Sequence, residues 1–219
     1  GNLFEIGSSS GIVTLSQSDS LDFESAPSHT IEVTATSADT STSTQSYTIA
    51  VTDVDEFDVT TPTDGNNATN EIDENASAGT VGISASASDA DGTTNTITYS
   101  LTNDDSGNFV IDSGTGVVST TGSLDHEAGA TRTIEVEATS ADGSSKSETF
   151  TIAVNDVDEF DVTTPTDGNN ATNEIDENAS AGTVGITASA SDADGTTNKI
   201  TYSLTNDDSG NFVIDSGTG

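Results

Sequence analysis

The chain has 219 residues, in which 38 acidic side chains face only three basic ones, giving a formal net charge of −35. That balance excludes binding to nucleic acid or to an anionic membrane surface, because both need clustered Lys and Arg. The absence of Cys excludes disulfides and thiolate metal sites. No apolar run reaches the roughly 18 residues of a membrane span and no signal-peptide pattern opens the chain, so we expect no direct membrane insertion, and any signal would lie outside these residues.

A repeat of 103 residues organises the sequence. Residues 56–116 and 159–219 differ at only two of 61 positions, and residues 20–57 resemble 123–160 at the same shift. Self-similarity at a fixed period is the signature of a tandem array. The sequence therefore reads as a window cut from a longer array. The predicted segments are the C-terminal half of one repeat (1–55), one complete repeat (56–158) and the N-terminal half of the next (159–219).

The complete repeat predicts an all-β fold, because short runs of alternating apolar and polar residues are separated by Gly, Asn, Asp and Ser. No stretch has helical spacing. About seven strands in roughly 100 residues are typical of a Greek-key sandwich of immunoglobulin-like type. In chain order the predicted strands are "TVGISASASD" (80–89), "ITYSL" (97–101), "FVID" (109–112), "GVVST" (116–120), "TIEVEATSAD" (133–142) and "ETFTIAV" (148–154). The predicted inward residues are Val81, Ile83, Ala85, Ala87, Ile134, Val136, Ala138, Phe150, Ile152 and Val154.

Acidic motifs lie where the predicted strands begin or end. They are "DEN" (73–75), "DAD" (89–91), "LDHE" (124–127), "SADG" (140–143) and "NDVDE" (155–159). Because successive strands of a sandwich run in opposite directions, these motifs gather at its two ends. In tandem, the acids at the end of one repeat then face the acids at the start of the next.

Facing carboxylates without Lys or Arg repel one another unless cations lie between them. Ca²⁺ takes six to eight oxygen ligands and suits such a cluster. The alternative is a salt-adapted acidic surface, which accounts for isolated acids such as Asp64 and Glu148. We favour calcium sites between repeats, since five acidic motifs recur together with the strand pattern.

The order of these motifs resembles that of the cadherin repeat, apart from an inserted stretch near 58–70 and its copy at 161–173. Near-identical, acidic, Cys-free copies joined by "DVDEFDV" also resemble the extender arrays of large bacterial surface adhesins of the type I secreted, RTX class. The resemblance implies cadherin-type β-sandwiches arranged end to end, an extracellular location at the cell surface or as a secreted protein, and two to three Ca²⁺ per junction. It further implies a rod that calcium makes rigid, with a function in adhesion and biofilm formation.

The resemblance also implies two sets of calcium ligands. The first junction would use Asp22, Glu24, Asp53, Asp55, Glu56, Asp89, Asp91, Asn95 and Asp142. The second junction would use Glu74, Asp125, Glu127, Asp156, Asp158, Glu159, Asp192, Asp194 and Asn198. The linker "DVDEF" departs from the family's D-x-N-D-N, which leaves open whether Asp158 or Glu159 coordinates. His126 stands where the family has Arg and need not be a ligand.

Catalysis is not expected, because His29 and His126 have no Ser or Cys partner and the acids recur in every copy. The favoured function is a spacer that holds distal binding domains away from a cell. The alternatives are a repeat of an extracellular filament or matrix fibre, or a carbohydrate-binding repeat. The expected partners are neighbouring repeats of the same chain, with lateral or end-to-end self-association as a further option. The distal ligand is not specified by the sequence.

Overall fold

A computed structural model of the chain describes residues 2–16 and 20–219, which form β-strands and no helix. Within this part of the chain no helix is long and apolar enough to cross a membrane. The strands are β1 (Phe4–Ile6), β2 (Val13–Leu15), β3 (Ser28–Thr36), β4 (Thr42–Ala50), β5 (Thr63–Asp64), β6 (Glu71–Asp73), β7 (Thr80–Ser86), β8 (Ile97–Asn103), β9 (Phe109–Ile111), β10 (Val117–Thr120), β11 (Thr131–Ser140), β12 (Ser145–Asn155), β13 (Thr166–Asp167) and β14 (Ala188–Ser189).

Two four-stranded sheets pack face to face in the central repeat. One sheet has the order β5-β7-β10-β9 and the other β6-β12-β11-β8. The longest pairing joins β11 and β12 in antiparallel register from Thr131 opposite Ala153 to Thr139 opposite Ser145. β6 pairs with β12 in parallel, beside Val154. The predicted all-β sandwich is thereby confirmed.

The core follows from the two-residue period of the strands, which puts alternate side chains on one face. In β11 the side chains of Ile134, Val136 and Ala138 are fully buried. The facing sheet contributes Val81, Ile83 and Phe109, which is 1% exposed. The predicted inward positions within these strands are buried, so the hydrophobic pattern determines which face of each strand turns inward. Ala87, also predicted to face inward, follows the end of β7 and is half-buried.

The stretch near 58–70, which the motif comparison treats as inserted, is built into the sandwich. Val59 is buried and its N–H donates to Ser144 Oγ at 2.9 Å, and β5 pairs with the end of β7. Gly82 has a φ of +83°, and a Cβ there would lie 2.1 Å from the carbonyl oxygen of Thr69. This stretch is the first edge of the sandwich, and it passes from one sheet to the other.

The flanking segments repeat parts of this arrangement. β3 pairs with β4 in the register of β11 with β12, shifted by 103 residues, and β13 pairs with β14 at the position of β5 with β7. Phe212, the copy of Phe109, is 41% exposed. The central repeat is therefore the segment in which both sheets and the core are complete within the described residues.

Candidate metal centres at the repeat junctions

Three carboxylates of the first junction form what we call its rear cluster. Glu24 precedes β3, Asp53 follows β4, and Glu56 lies in the linker; one ligand oxygen from each lies within 4.8 Å of the others. Glu24 Oε2 and Asp53 Oδ1 are buried and accept no hydrogen bond from the residues that the structure describes. Burying a carboxylate oxygen without a partner costs free energy, so these atoms indicate a site for a cation.

The rear cluster of the second junction consists of Glu74, Glu127, Asp156 and Glu159, again within 4.8 Å. Glu74 is 2% exposed, and its two oxygens accept the N–H groups of His126 at 2.6 Å and Val157 at 2.8 Å. Glu74 thus ties the "LDHE" loop to the linker. Its position after β6 depends on the parallel pairing of that strand with β12.

A second group, the front cluster, lies on the other side of each linker. In the first junction it comprises Asp55, Asp91 and Asp142, whose ligand oxygens lie within 4.8 Å of one another. Asp91 is 1% exposed, and its carboxylate accepts the N–H groups of Glu56 at 3.3 Å and Phe57 at 3.2 Å. These bonds attach the linker to the following repeat.

The front cluster of the second junction repeats this geometry with Asp158 and Asp194. Asp194 is 1% exposed and accepts the N–H groups of Glu159 at 3.2 Å and Phe160 at 3.3 Å. Asp192 lies near enough for its charge to raise the pKa of Asp158. Asp158 therefore points to the front cluster and Glu159 to the rear cluster, so both linker acids belong to a cluster. Adjacent residues of an extended chain point to opposite sides, which explains the division.

Crowding of like charges raises the pKa of the linker acids. The pKa of Asp55 is raised chiefly by its contact with Asp91, and that of Asp158 by its contact with Asp194. Burial is the first cause of the raised pKa of Glu56 and Glu159, followed for Glu56 by the charge of Glu24. A raised pKa means that the folded chain binds the proton more tightly than the unfolded chain. Its contribution to stability is present at low pH and is lost as the pH rises through the folded-state pKa.

Each junction also has a hydroxyl that reaches across it. Thr93 donates from its Oγ1 to Asp53, and Thr196 donates to Asp156. The Thr196 hydrogen bond is the first cause of the lowered pKa of Asp156. Sequence reasoning missed both threonines, although each follows directly after "DADG" in its copy.

An aromatic ring of one repeat rests on a glycine of the next. A Cβ on Gly92 would lie 2.4 Å from Cε1 of Phe23, and a Cβ on Gly195 would lie 2.5 Å from Nδ1 of His126. The N–H of Gly92 also donates to Glu24 Oε1 at 3.0 Å. Only glycine leaves room for the ring, and sequence reasoning assigned no role to this contact.

The remaining predicted acids lie at the margins of the clusters. Asp22 accepts hydrogen bonds from the backbone and the hydroxyl of Ser25, and its charge helps to raise the pKa of Glu56. Asp125 accepts the N–H of Ala128 at 3.0 Å. Both acids accept hydrogen bonds within local turns and lie outside the rear clusters.

Asp89 and the two predicted asparagines complete the set. Asp89 accepts the hydroxyl of Ser140, and its charge helps to raise the pKa of Asp55. Asn95 donates from Nδ2 to the carbonyl oxygen of Asp91 at 2.5 Å. Asn198 is exposed. Asn95 thus supports the acid of the front cluster, and the role of either carbonyl as a ligand stays a prediction.

The residues of both junctions fit a hard divalent cation. Two oxygens bound to one Ca²⁺ at 2.3–2.6 Å are at most roughly 5 Å apart, and the ligand oxygens of both rear clusters and of the first junction's front cluster meet that limit. None of the basic residues belongs to a cluster, and Arg132 instead lies 3.9 Å from Asp105. Cations are therefore the missing counter-charge that these clusters can accept.

The central repeat is similar to a known domain family. Residues 69–155 match the model of the cadherin domain family. The chain is 38% identical over 128 residues to protocadherin Fat 4 of Mus musculus and 38% identical over 138 residues to protocadherin alpha-2 of Homo sapiens. These matches cover 57% and 60% of this chain but only 2% and 15% of the relatives.

Solved structures show the same fold. A cis-dimer structure of cadherin domains EC3-6 of protocadherin gammaB7 matches with a TM-score of 0.75 and 22% identity, over 100% of this chain and 56% of that chain. The described residues therefore have the tandem architecture of cadherin-type β-sandwiches arranged end to end.

Proposed function

We propose that the chain is a calcium-binding array of cadherin-type repeats that serves as an extracellular spacer in adhesion. The observation that carries the proposal is the pair of acidic clusters at each junction, with buried, unpartnered oxygens of Asp53 and Asp156 directed into the rear clusters. Each junction joins two repeats, so cations bound there would stabilise the relative position of the repeats. The role is mechanical and needs no catalytic group.

The division into rear and front clusters supports at least two ions per junction. Glu56 and Asp55 are neighbours in the chain yet belong to different clusters, as do Glu159 and Asp158. One ion would be held mainly by the preceding repeat and another mainly by the following repeat, with the linker between them. A third ion would need the marginal acids of the "LDHE" and related loops as ligands.

The wider setting we propose is the extender region of a large bacterial surface adhesin. Its support is the near-identity of residues 56–116 and 159–219, the absence of Cys and the excess of acid. A unique binding loop would not be expected in unchanged copies, which favours a spacer over a carbohydrate-binding repeat. The related proteins named above are animal protocadherins, so the cadherin-type fold and the bacterial setting rest on different observations.

Self-association remains a second candidate property. A structure with the same fold is a cis-dimer. A concentration-independent mass in solution would exclude association and leave the spacer as the function.

The test is a calorimetric titration of the metal-stripped chain with Ca²⁺, with Mg²⁺ as the control ion. We expect two to three Ca²⁺ per junction. X-ray scattering should show a narrower range of conformations, with less variation in the radius of gyration, once calcium is bound. The double variant Asp156→Asn, Asp158→Asn should lose the sites of the second junction. Its matched control, Glu32→Gln with Glu148→Gln, removes two charges from exposed strand positions and should lose none. Equal binding by both variants, or no heat specific to Ca²⁺, would overturn the proposal.

A further inference from the structure

Besides Glu74, which belongs only to the second rear cluster, the two rear clusters differ at one further position. Glu127 and Asp156 of the second junction correspond to Glu24 and Asp53 of the first at a shift of 103 residues. Between the paired acids of the "LD-x-E" loop, however, the first junction has Phe23 and the second has His126. The chain therefore contains two versions of one site, with and without an imidazole.

The imidazole of His126 faces the unpartnered acid. Its Nδ1 lies at hydrogen-bond distance, 3.4 Å, from Oε1 of Glu127 and 3.8 Å from Oδ1 of Asp156. The three ligand atoms lie within 4.8 Å of one another. The side chain of Asp156 is only 7% exposed, and within the described part of the chain its Oδ1 accepts no hydrogen bond. A buried carboxylate oxygen and a ring nitrogen thus face each other beyond hydrogen-bond distance, which is an arrangement that a shared cation completes.

The bare backbone of Gly195 fixes the ring in this place. A Cβ there would lie 2.5 Å from Nδ1 and 2.7 Å from Cε1 of His126. The His126 side chain is 16% exposed. Confined between Gly195 and the two acids, the ring presents Nδ1 to the cluster with little freedom to turn away.

Imidazole nitrogen is a poor ligand for Ca²⁺, which prefers oxygen, but it suits borderline cations such as Zn²⁺. Zinc binds His nitrogen and carboxylate oxygen at about 2.0–2.2 Å, so its tetrahedral ligands lie about 3.4 Å apart. The Nδ1 distances to Glu127 and Asp156 are 3.4 and 3.8 Å.

We propose that His126, Glu127 and Asp156 form a site for a divalent transition cation of the Zn²⁺ class at the second junction, where it exchanges with Ca²⁺, and that the first junction lacks such a site. The inference rests on the proposed function in taking the junction carboxylates as metal ligands. The two junctions then respond to different cations.

The test titrates the metal-stripped full chain with ZnCl₂ and follows the two histidines by long-range ¹H–¹⁵N NMR. We expect the His126 ring signals to move at stoichiometric zinc, while those of His29, whose ring meets that of Phe4 edge to face, stay in place. The variant His126→Phe copies the first junction, so it should fold and should weaken the tightest zinc site at least about tenfold. Its Ca²⁺ affinity should change by less than about twofold.

The reverse variant, Phe23→His, should add a second zinc site to the first junction, and His29→Gln is the control that removes the other imidazole. Unmoved His126 signals in the unaltered chain, or equal zinc affinity in His126→Phe, would overturn the proposal. Zinc binding through His126 in a chain that binds no Ca²⁺ would support this site and refute the calcium array. Normal Ca²⁺ binding without a zinc response would do the opposite.

Discussion

Glu74→Gln changes one buried carboxylate without changing its shape. Both oxygens of Glu74 accept backbone N–H groups, from His126 at 2.6 Å and Val157 at 2.8 Å, and the side chain is 2% exposed. In the variant, an amide NH₂ must face one of these donors. A hydrogen bond to a charged group contributes about 1.5–3 kcal/mol, so we expect a loss of about 2 kcal/mol in the free energy of unfolding with calcium present.

The chain supplies a matched control for this variant. Glu177 is the copy of Glu74 in the third segment, but it is exposed. Glu177→Gln should change the free energy of unfolding by less than about 0.5 kcal/mol.

Urea unfolding followed by circular dichroism measures both variants, and calorimetry measures their calcium affinity. Removing one charged ligand should also weaken the second junction's Ca²⁺ binding about tenfold. If Glu74→Gln behaves like Glu177→Gln in both assays, then the buried carboxylate neither joins the loop to the linker nor binds the ion.

Three further predictions concern the junction contact, the core and pH. Gly92→Ala must displace the ring of Phe23, because the new Cβ would lie 2.4 Å from its Cε1, and calorimetry should show weaker calcium binding. In the control Gly122→Ala, the added Cβ has no atom within 4 Å, so calcium binding should be unchanged. Phe109→Ala should lower the free energy of unfolding by about 3–5 kcal/mol; equal loss in Phe212→Ala, whose side chain is 41% exposed, would contradict the assignment of the core. The metal-free chain should become less stable to urea as the pH rises above the ordinary pKa range of a carboxyl group, because the linker acids with raised pKa then lose their protons, and saturating calcium should abolish this loss. A flat pH profile without metal would show that the linker acids do not crowd one another.

The sequence predicted the strands whose side chains alternate over many residues. Ile134, Val136 and Ala138 form such a pattern, and all three are buried in β11 as expected. β5 spans only Thr63–Asp64, and its residues are polar, so it has no hydrophobic period to detect. That is why a stretch that completes the sandwich was taken for an insertion.

The candidate sites divide in the same way. Acids that cluster within short motifs, such as Asp156 with Glu159, were found because charge density is visible along the chain. The contact of Phe23 with Gly92 was not visible, since the two residues are far apart in sequence and belong to different repeats. The packing of consecutive repeats creates this contact, and no pattern within one repeat encodes it.

The near-identity of the copies also has a consequence for folding. Residues 56–116 pack against 124–155 to complete the central sandwich, yet 159–219 has almost the same sequence. The two copies differ only where Ser84 corresponds to Thr187 and Thr96 corresponds to Lys199, and neither position lies in the core. Side-chain complementarity therefore cannot tell the correct partner from its duplicate, and the entropy of loop closure differs little between connections of similar length. The order of synthesis favours the correct pairing, because residues 56–116 and their partner 124–155 are made before 159–219. Refolding of the whole chain from denaturant can therefore give a domain-swapped misfolded state that folding during synthesis avoids.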